Sequence, residues 1–322
     1  MPQILIVKTS SLGDVIHHLP VLADIRQHQP DARFDWVVEE GFTEIPALHP
    51  AVDRVIPVAM RRWRHALLSR ATWREIAAFR ARLQSAPYDL IIDAQGLLKS
   101  AIIARQARGV LHGQNRASAR EPLAAAFYDS CHVVPRGQHA VTRNRQLAAL
   151  ALGYSLADTP PDYGIVAPQR PLPVTLPGRY LVGLHATSRD SKRWPDGHWI
   201  ALSHALAEQG LALLLPWGTQ EERARALQIS AAAPNALVLP QLSLSDLATL
   251  LAGAVAAVGV DTGLVHLAAA LGVTTVALYT DTDPALTGVC AGRGIAVNLG
   301  GIGRIPQPAE VMAALDSARS LA

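Results

Sequence analysis

Short apolar runs and stretches of helical period alternate along the whole chain. The clearest example is 255–284. Residues 255–260 predict a buried strand, Asp261, Thr262 and Gly263 a polar corner, 264–271 a helix of small residues, and 274–278 a second buried strand. The runs are continuously apolar because a strand in a parallel sheet is covered on both faces, which is the pattern of a βαβ unit. Earlier in the chain the alternation predicts strands at 4–8, 34–38, 54–58, 90–93, near 110 and at 133. Helices are predicted along the stripe Val15, Ile16, Leu19, Leu22 and Ile25, around 44, and over 64–84, 97–107, 120–128 and 140–152. Pro20 lies inside the first of these and is expected to kink it.

Between 159 and 178 the texture changes, with Pro160, Pro161, Pro168, Pro171, Pro173 and Pro177. Proline fixes φ and donates nothing to a ladder, so an extended linker is predicted. A second alternation follows, with strands at 180–185, 211–215, 237–239, 255–260, 274–278 and 295–298 and a last helix over 308–318. The expected fold is α/β, two Rossmann-like doubly wound parallel sheets facing a central cleft.

Composition narrows the class. With 322 residues, half of them apolar, the chain can bury a large core, and the length favours two domains. No run approaches the roughly 18 apolar residues of a membrane span, and the N-terminus enters a strand without a basic leader, so a cytoplasmic protein is expected. Cys131 and Cys290, the two cysteines, lie in different halves and provide neither a disulfide framework nor a cysteine zinc site. Net charge is only +3, yet Arg61, Arg62, Arg64, Arg70, Arg74, Arg80 and Arg82 crowd one stretch, with Trp63 and Trp73 among them and Glu75 as the one acid. A solvated helix face accounts for such a run, and so does a patch for anionic lipid headgroups or an acidic acceptor. Nucleic acid is disfavoured because the rest of the chain is neither basic nor aromatic-rich.

Ligands of open α/β sheets bind beyond the C-terminal ends of strands, and three polar corners fall there. Asp14, in the corner 9–14, suits either a helix cap or a general base. In the corner 185–195, Thr187, Ser188 and Lys192 are phosphate-binding chemistry, or else a solvated basic loop. Asp261, Thr262 and Gly263 open a helix whose first amides form an anion site, with His266 one turn in. Together the last two corners suit a pyrophosphate. Asp281-Thr282-Asp283 spells a metal-binding Asp-x-Asp, but no carboxylate or His cluster beside it completes a ligand set. His17 and His18 read as packing or surface residues. The Gly-x-Gly-x-x-Gly fingerprint of dinucleotide enzymes is absent from the first corner.

The segments Lys8-Thr9-Ser10-Ser11-Leu12-Gly13-Asp14, Phe34-Asp35-Trp36-Val37-Val38-Glu39-Glu40-Gly41-Phe42, Arg61-Arg62-Trp63-Arg64, Asp93-Ala94-Gln95-Gly96, Ala119-Arg120-Glu121-Pro122-Leu123, Pro216-Trp217-Gly218 and Val260-Asp261-Thr262-Gly263-Leu264 together resemble the lipopolysaccharide heptosyltransferase I family of glycosyltransferase family 9. The resemblance spans nearly the whole chain. It implies a GT-B fold, with an acceptor-binding domain at 1–165 and a donor-binding domain at 166–322 whose last helix is free to return to the first domain. It implies transfer of heptose from ADP-L-glycero-β-D-manno-heptose to the first 3-deoxy-D-manno-octulosonic acid (Kdo) of Kdo2-lipid A, with inversion and no metal or other cofactor. The setting would be the cytoplasmic face of the inner membrane.

Position by position, the resemblance makes Asp14 the general base and assigns the diphosphate to Lys192, Thr187, Ser188, Thr262 and Gly263, with His266 close by. Asp261 would orient the heptose, Glu222 or its neighbour Glu221 would meet the ribose, and Leu242 the adenine. Ser10, Arg61, Arg62, Arg64 and Arg120 would meet the acceptor. Ser188 and Leu242 stand where the family has threonine and methionine, and Thr280-Asp281 where it has Gly-Pro. The alternatives are a heptosyltransferase II, which adds to heptose, and a nucleotide-binding membrane-surface module without activity. The Arg61–Arg64 patch favours the more acidic Kdo acceptor over the first.

Overall fold

The computed structural model describes residues 1–320, with side chains through 318; residues 321–322, the end of the expected second domain, lie outside the described residues. The chain forms two compact units, Met1–Ile165 and Val166–Ala322. The first runs β1 (Gln3–Val7), α1 (Leu12–Ile16), α2 (Pro20–His28), β2 (Arg33–Glu39), α3 (Glu44–Ala47), β3 (Val52–Val58), α4 (Met60–Trp63), α5 (Arg70–Leu83), β4 (Leu90–Asp93), α6 (Leu98–Ala104), β5 (Leu111–Gln114), β6 (Ser130–His132) and α7 (Ala140–Leu152). The second runs β7 (Tyr180–Leu184), α8 (Asp196–Glu208), β8 (Ala212–Leu215), α9 (Gln220–Ala232), β9 (Ala236–Val238), α10 (Leu244–Ala252), β10 (Ala256–Val260), α11 (Gly263–Ala270), β11 (Thr275–Tyr279), α12 (Pro284–Thr287), β12 (Ala296–Gly300) and α13 (Pro308–Ser320). Residues 154–179 carry no helix or strand.

Each unit holds one six-stranded sheet, ordered β3-β2-β1-β4-β5-β6 in the first and β12-β11-β10-β7-β8-β9 in the second. All strand pairings within the two sheets are parallel. Counted from the start of each unit, both sheets have the doubly wound order 3-2-1-4-5-6. The winding therefore reverses between β1 and β4, and again between β7 and β10. Their strands are deeply buried: Ile4, Leu5, Ile6 and Val7 in β1 and Val258 and Val260 in β10 are inaccessible. Helices on both faces exclude water there, which is why these runs are apolar without alternation.

Three predicted helices take a different form. The stripe through Val15 and Ile25 is broken rather than kinked: α1 ends at Ile16 and Pro20 opens α2, a position where its missing N–H costs no hydrogen bond. The 64–84 helix begins only at Arg70, where the Ser69 hydroxyl caps it by accepting the Ala71 amide at 3.2 Å. Residues 122–127 form a 3₁₀ turn, and the strand placed at 133 is Ser130–His132. The last helix packs on α8, β11 and β12 of its own unit, with Val311 and Leu315 buried.

His18 and His185 are fully buried, one in each unit, and burial holds their pKa values down, to about 3 and about 4. Both rings are therefore neutral in the folded chain at pH 7, whereas the unfolded chain protonates them near 6.5. Their contribution to stability is complete above pH 6.5 and is lost as pH falls toward 4. Chemical denaturation is expected to show a loss of roughly 2 kcal/mol per histidine between pH 7 and pH 5. Replacing each by a neutral isostere should flatten that slope.

Candidate active site

In the second unit, β7 and β10 meet at the winding reversal and each ends in a polar loop. Gly259 allows them to lie close, since a Cβ there would sit 2.8 Å from Leu184 Cβ. Beyond β7, the Lys192 ammonium lies 2.6 Å from Asp261 Oδ2, with the two side chains only 17% and 12% exposed. The same carboxylate oxygen accepts the Thr282 hydroxyl at 2.7 Å, and the Thr187 hydroxyl donates to the Asp261 carbonyl at 3.3 Å. Thr262 is the N-cap of α11, but its side chain makes no capping bond, so it does not occupy the first amides of the helix. Thr187, Lys192, Asp261, Thr262 and Gly263 thus converge at one strand-end corner. Ser188 is exposed on the same loop and His266 is buried one turn into α11.

The two ends of the 185–195 loop are anchored by an arginine that belongs to no motif of the sequence. Arg225, from α9, donates to the carbonyls of His185 at 2.7 Å and Trp194 at 2.5 Å, closing both ends, and to Asp196 Oδ1 at 2.7 Å. At the apex, the Thr280 hydroxyl donates to the Ser191 carbonyl and the Ser191 hydroxyl to Asp281 Oδ2, each at 2.7 Å. Ser191 adjoins Lys192, so this clasp sets the direction in which the lysine leaves the chain. The Asp-x-Asp tripeptide is occupied in this way: Asp281 holds Ser191, Thr282 holds Asp261, and Asp283 caps α12 by accepting the Ala285 amide at 2.9 Å. Among the described residues no group of three or more His, Cys, Asp or Glu side chains could hold a metal ion.

Glu222 is tied up as a cap. Its Oε2 accepts the amides of Gly218 at 2.7 Å and Thr219 at 3.1 Å, leaving Oε1 for another partner. Glu221 beside it is exposed, and Leu242 is half-buried. A cavity of about 570 Å³ between the loop and α9 is lined by His185, Thr187, Glu221, Glu222 and Arg225, among others.

The first unit has its own reversal, between β1 and β4, and a polar relay lies beneath it. Asp93, wholly buried at the end of β4, accepts the Gln95 amide and the hydroxyls of Ser100 and Tyr128, each at 2.9 Å. Burial holds the Asp93 carboxyl above its usual range, with those bonds opposing the shift. Gln95 Oε1 in turn accepts the amides of Thr9 at 3.1 Å and Ser10 at 3.2 Å. This positions the 9–14 loop, where Asp14 Oδ2 accepts the Ser11 amide at 2.9 Å and the Ser11 hydroxyl at 3.2 Å. Ser11, not Asp14, is therefore the N-cap of α1: Asp14 sits inside the helix at its third position and closes the capping box back onto Ser11, and its other oxygen is not engaged in that box. Lys8 is buried directly below and donates to the Ala94 carbonyl at 2.8 Å; burial lowers its pKa while Asp14 and Asp93 oppose the shift. Polar residues closing an apolar strand, as Asp93 and Gln95 do, were the sequence signal for this relay.

The arginines do not share one helix. Arg61 and Arg62 lie on α4, Arg64 is its C-cap and Arg120 is exposed in a separate loop. Arg61 stacks over Phe42 at 5.5 Å. Arg62 forms ion pairs with Glu40 at 3.0 Å and Glu75 at 2.9 Å, so its charge is already matched within the fold. Arg64 donates to the His65 ring at 3.1 Å.

Two doubly wound sheets in tandem, the second ending in a corner of lysine, hydroxyls and uncapped helix amides, are the architecture of the GT-B glycosyltransferases. The chain belongs to glycosyltransferase family 9, the heptosyltransferases: the pattern of that family matches residues 76–311. It is 50% identical over 287 residues to lipopolysaccharide heptosyltransferase 1 of Escherichia coli K12, covering 89% of this chain and 90% of that one. It is 53% identical over 291 residues to the enzyme of the same name from Pseudomonas aeruginosa, covering 89% and 81%. Among solved structures it is similar to E. coli heptosyltransferase WaaC with ADP, at a TM-score of 0.89 and 45% identity over 98% of this chain and 99% of that one. E. coli ADP-heptose heptosyltransferase II shares the fold, with a TM-score of 0.77 at 19% identity over 99% of each chain.

Proposed function

We propose that the protein transfers L-glycero-D-manno-heptose from ADP-heptose to the first Kdo of Kdo2-lipid A, with inversion at the anomeric carbon. The observation that carries this is the Lys192–Asp261–Thr282 cluster beside the N-terminus of α11, in a chain similar over nearly its whole length to a solved heptosyltransferase that holds ADP. The first unit binds the acceptor and the second the donor. As the glycosidic bond breaks, negative charge grows on the departing diphosphate. A lysine, the hydroxyls of Thr187 and Ser188 and the amides after Thr262 stabilise that charge more than the ground state, which lowers the barrier. On binding, the diphosphate takes Lys192 from Asp261 and leaves that carboxylate to orient the heptose hydroxyls. The free oxygen of Glu222 is suited to the ribose, with Glu221 as substitute, and the backbone at Leu242 to adenine. Asp14 removes the acceptor proton as attack proceeds, the relay from Asp93 through Gln95 holding its loop in place. Ser10, Arg61, Arg64 and Arg120 meet the acidic acceptor, with Arg62 stiffening α4. The protein works at the cytoplasmic face of the inner membrane, and among the described residues no helix is long and apolar enough to cross one.

The test is release of ADP from ADP-heptose that depends on Kdo-bearing lipid A; tight donor binding with no transfer to any acceptor would reject the reading. Replacing Arg61 and Arg64 together by alanine should raise the acceptor KM and flatten its dependence on salt, because screened charge attraction is what is lost. A rise in the donor KM instead would mean the patch is misassigned. Thr280→Val should weaken ADP binding about fivefold, the worth of one net hydrogen bond, by releasing Ser191 and so Lys192. Thr280→Ser should restore it, and adenosine affinity should stay unchanged in a calorimetric titration.

A further inference from the structure

The turn between α4 and α5 carries an apolar surface that no described residue covers. Leu68 is fully exposed, and Leu67 and Trp73 are 51% and 58% exposed. The Trp73 ring N–H donates to the Leu67 carbonyl at 2.8 Å, which fixes the indole beside the leucines. Beneath them Trp63 and Phe79 are buried edge to face, and Trp63 donates to Glu75 at 2.8 Å, so the turn stands on a fixed base. Around it Arg64, Arg70 and Arg74 are exposed and carry no ion pair among the described residues, while the nearby acids Glu40 and Glu75 are both engaged by Arg62.

We propose that this turn seats the protein on an anionic phospholipid bilayer. Leu67, Leu68 and Trp73 enter the boundary between headgroups and acyl chains, and Arg70 and Arg74 meet the phosphates. A tryptophan with an apolar ring and a polar edge, and arginines with apolar stems, are suited to that boundary. Apolar insertion and basic attraction are each too weak alone for stable docking and suffice together. A second protein copy fits less well: three side chains fall far short of the roughly 800 Å² per partner of a stable interface, and the rim is of one sign. The proposal deepens the membrane-surface part of the function above without depending on the transfer chemistry.

The experiment is co-sedimentation of the full-length protein with vesicles that contain no glycolipid. Wild type should bind phosphatidylglycerol-containing vesicles in a salt-sensitive way and pure phosphatidylcholine vesicles weakly. The double variant Leu67→Ser/Leu68→Ser should lower the partition constant about tenfold, about 1.4 kcal/mol, and Arg70→Glu/Arg74→Glu should do at least as much. Transfer to a water-soluble Kdo acceptor without acyl chains should be unchanged in the leucine variant. Vesicle binding equal to wild type in both variants overturns the proposal. So does a parallel loss of soluble-acceptor turnover, which would place the leucines in the sugar site, or self-association in light scattering that the leucine variant abolishes. A wild type that binds vesicles but releases no ADP with any acceptor would instead reject the transferase reading and leave the docking surface standing.

Discussion

Asp14→Asn is expected to lower turnover by roughly 10²–10⁴, the range typical of a general base, with little change in ADP-heptose affinity. The separation follows from where the residue lies. Asp14 is held on the first unit by Ser11 and the Gln95 relay, whereas the diphosphate contacts proposed above all belong to the second. Asparagine still accepts the Ser11 amide, so the cap is retained and only the capacity to take a proton is removed. Steady-state kinetics of both substrates, with calorimetric ADP titration, measure this. Turnover at the wild-type level would reduce Asp14 to its part in the capping box.

Lys192→Ala is expected to weaken ADP binding roughly 10–150-fold, since a hydrogen bond to a charged group is worth about 1.5–3 kcal/mol. Turnover should fall further, by about 10²–10³ at saturating donor, because the cation acts most strongly on the charge that develops as the bond breaks. The variant also leaves the Asp261 carboxylate, only 12% exposed, with Thr282 as its remaining side-chain partner, and that uncompensated charge would itself repel a diphosphate. Lys192→Arg should not rescue fully, because a planar fork does not reproduce a point charge at a 2.6 Å contact. An unchanged ADP affinity in Lys192→Ala would remove the lysine from the donor site.

Most of the architecture was legible because parallel strands must be apolar on both faces, and runs such as 4–8 and 255–260 announce that condition in one dimension. The strand-end corners were legible for a related reason: Thr187, Lys192, Asp261 and Thr262 follow buried strands where polar groups can face solvent. The misplaced start of the 64–84 helix has a physical cause. Leu67 and Leu68 continue an apolar period and suggest helix, but they are exposed, and the actual N-cap is the modest Ser69. Local pattern does not distinguish an apolar residue that is buried from one left uncovered.

What the sequence determined by itself was the order of the elements and the type of most of them, the polar strand-end corners where ligands of such sheets bind, and, through seven matching segments, the family. Which side chains hold which was decided only by the tertiary structure. Ser191 meets Asp281 across 90 residues, Lys192 meets Asp261 across 69, and Gln95 meets Thr9 across 86. Such pairs carry no period and no fixed spacing. They exist because parallel crossovers bring distant strand ends side by side, and a hydrogen bond depends on that proximity rather than on distance along the chain.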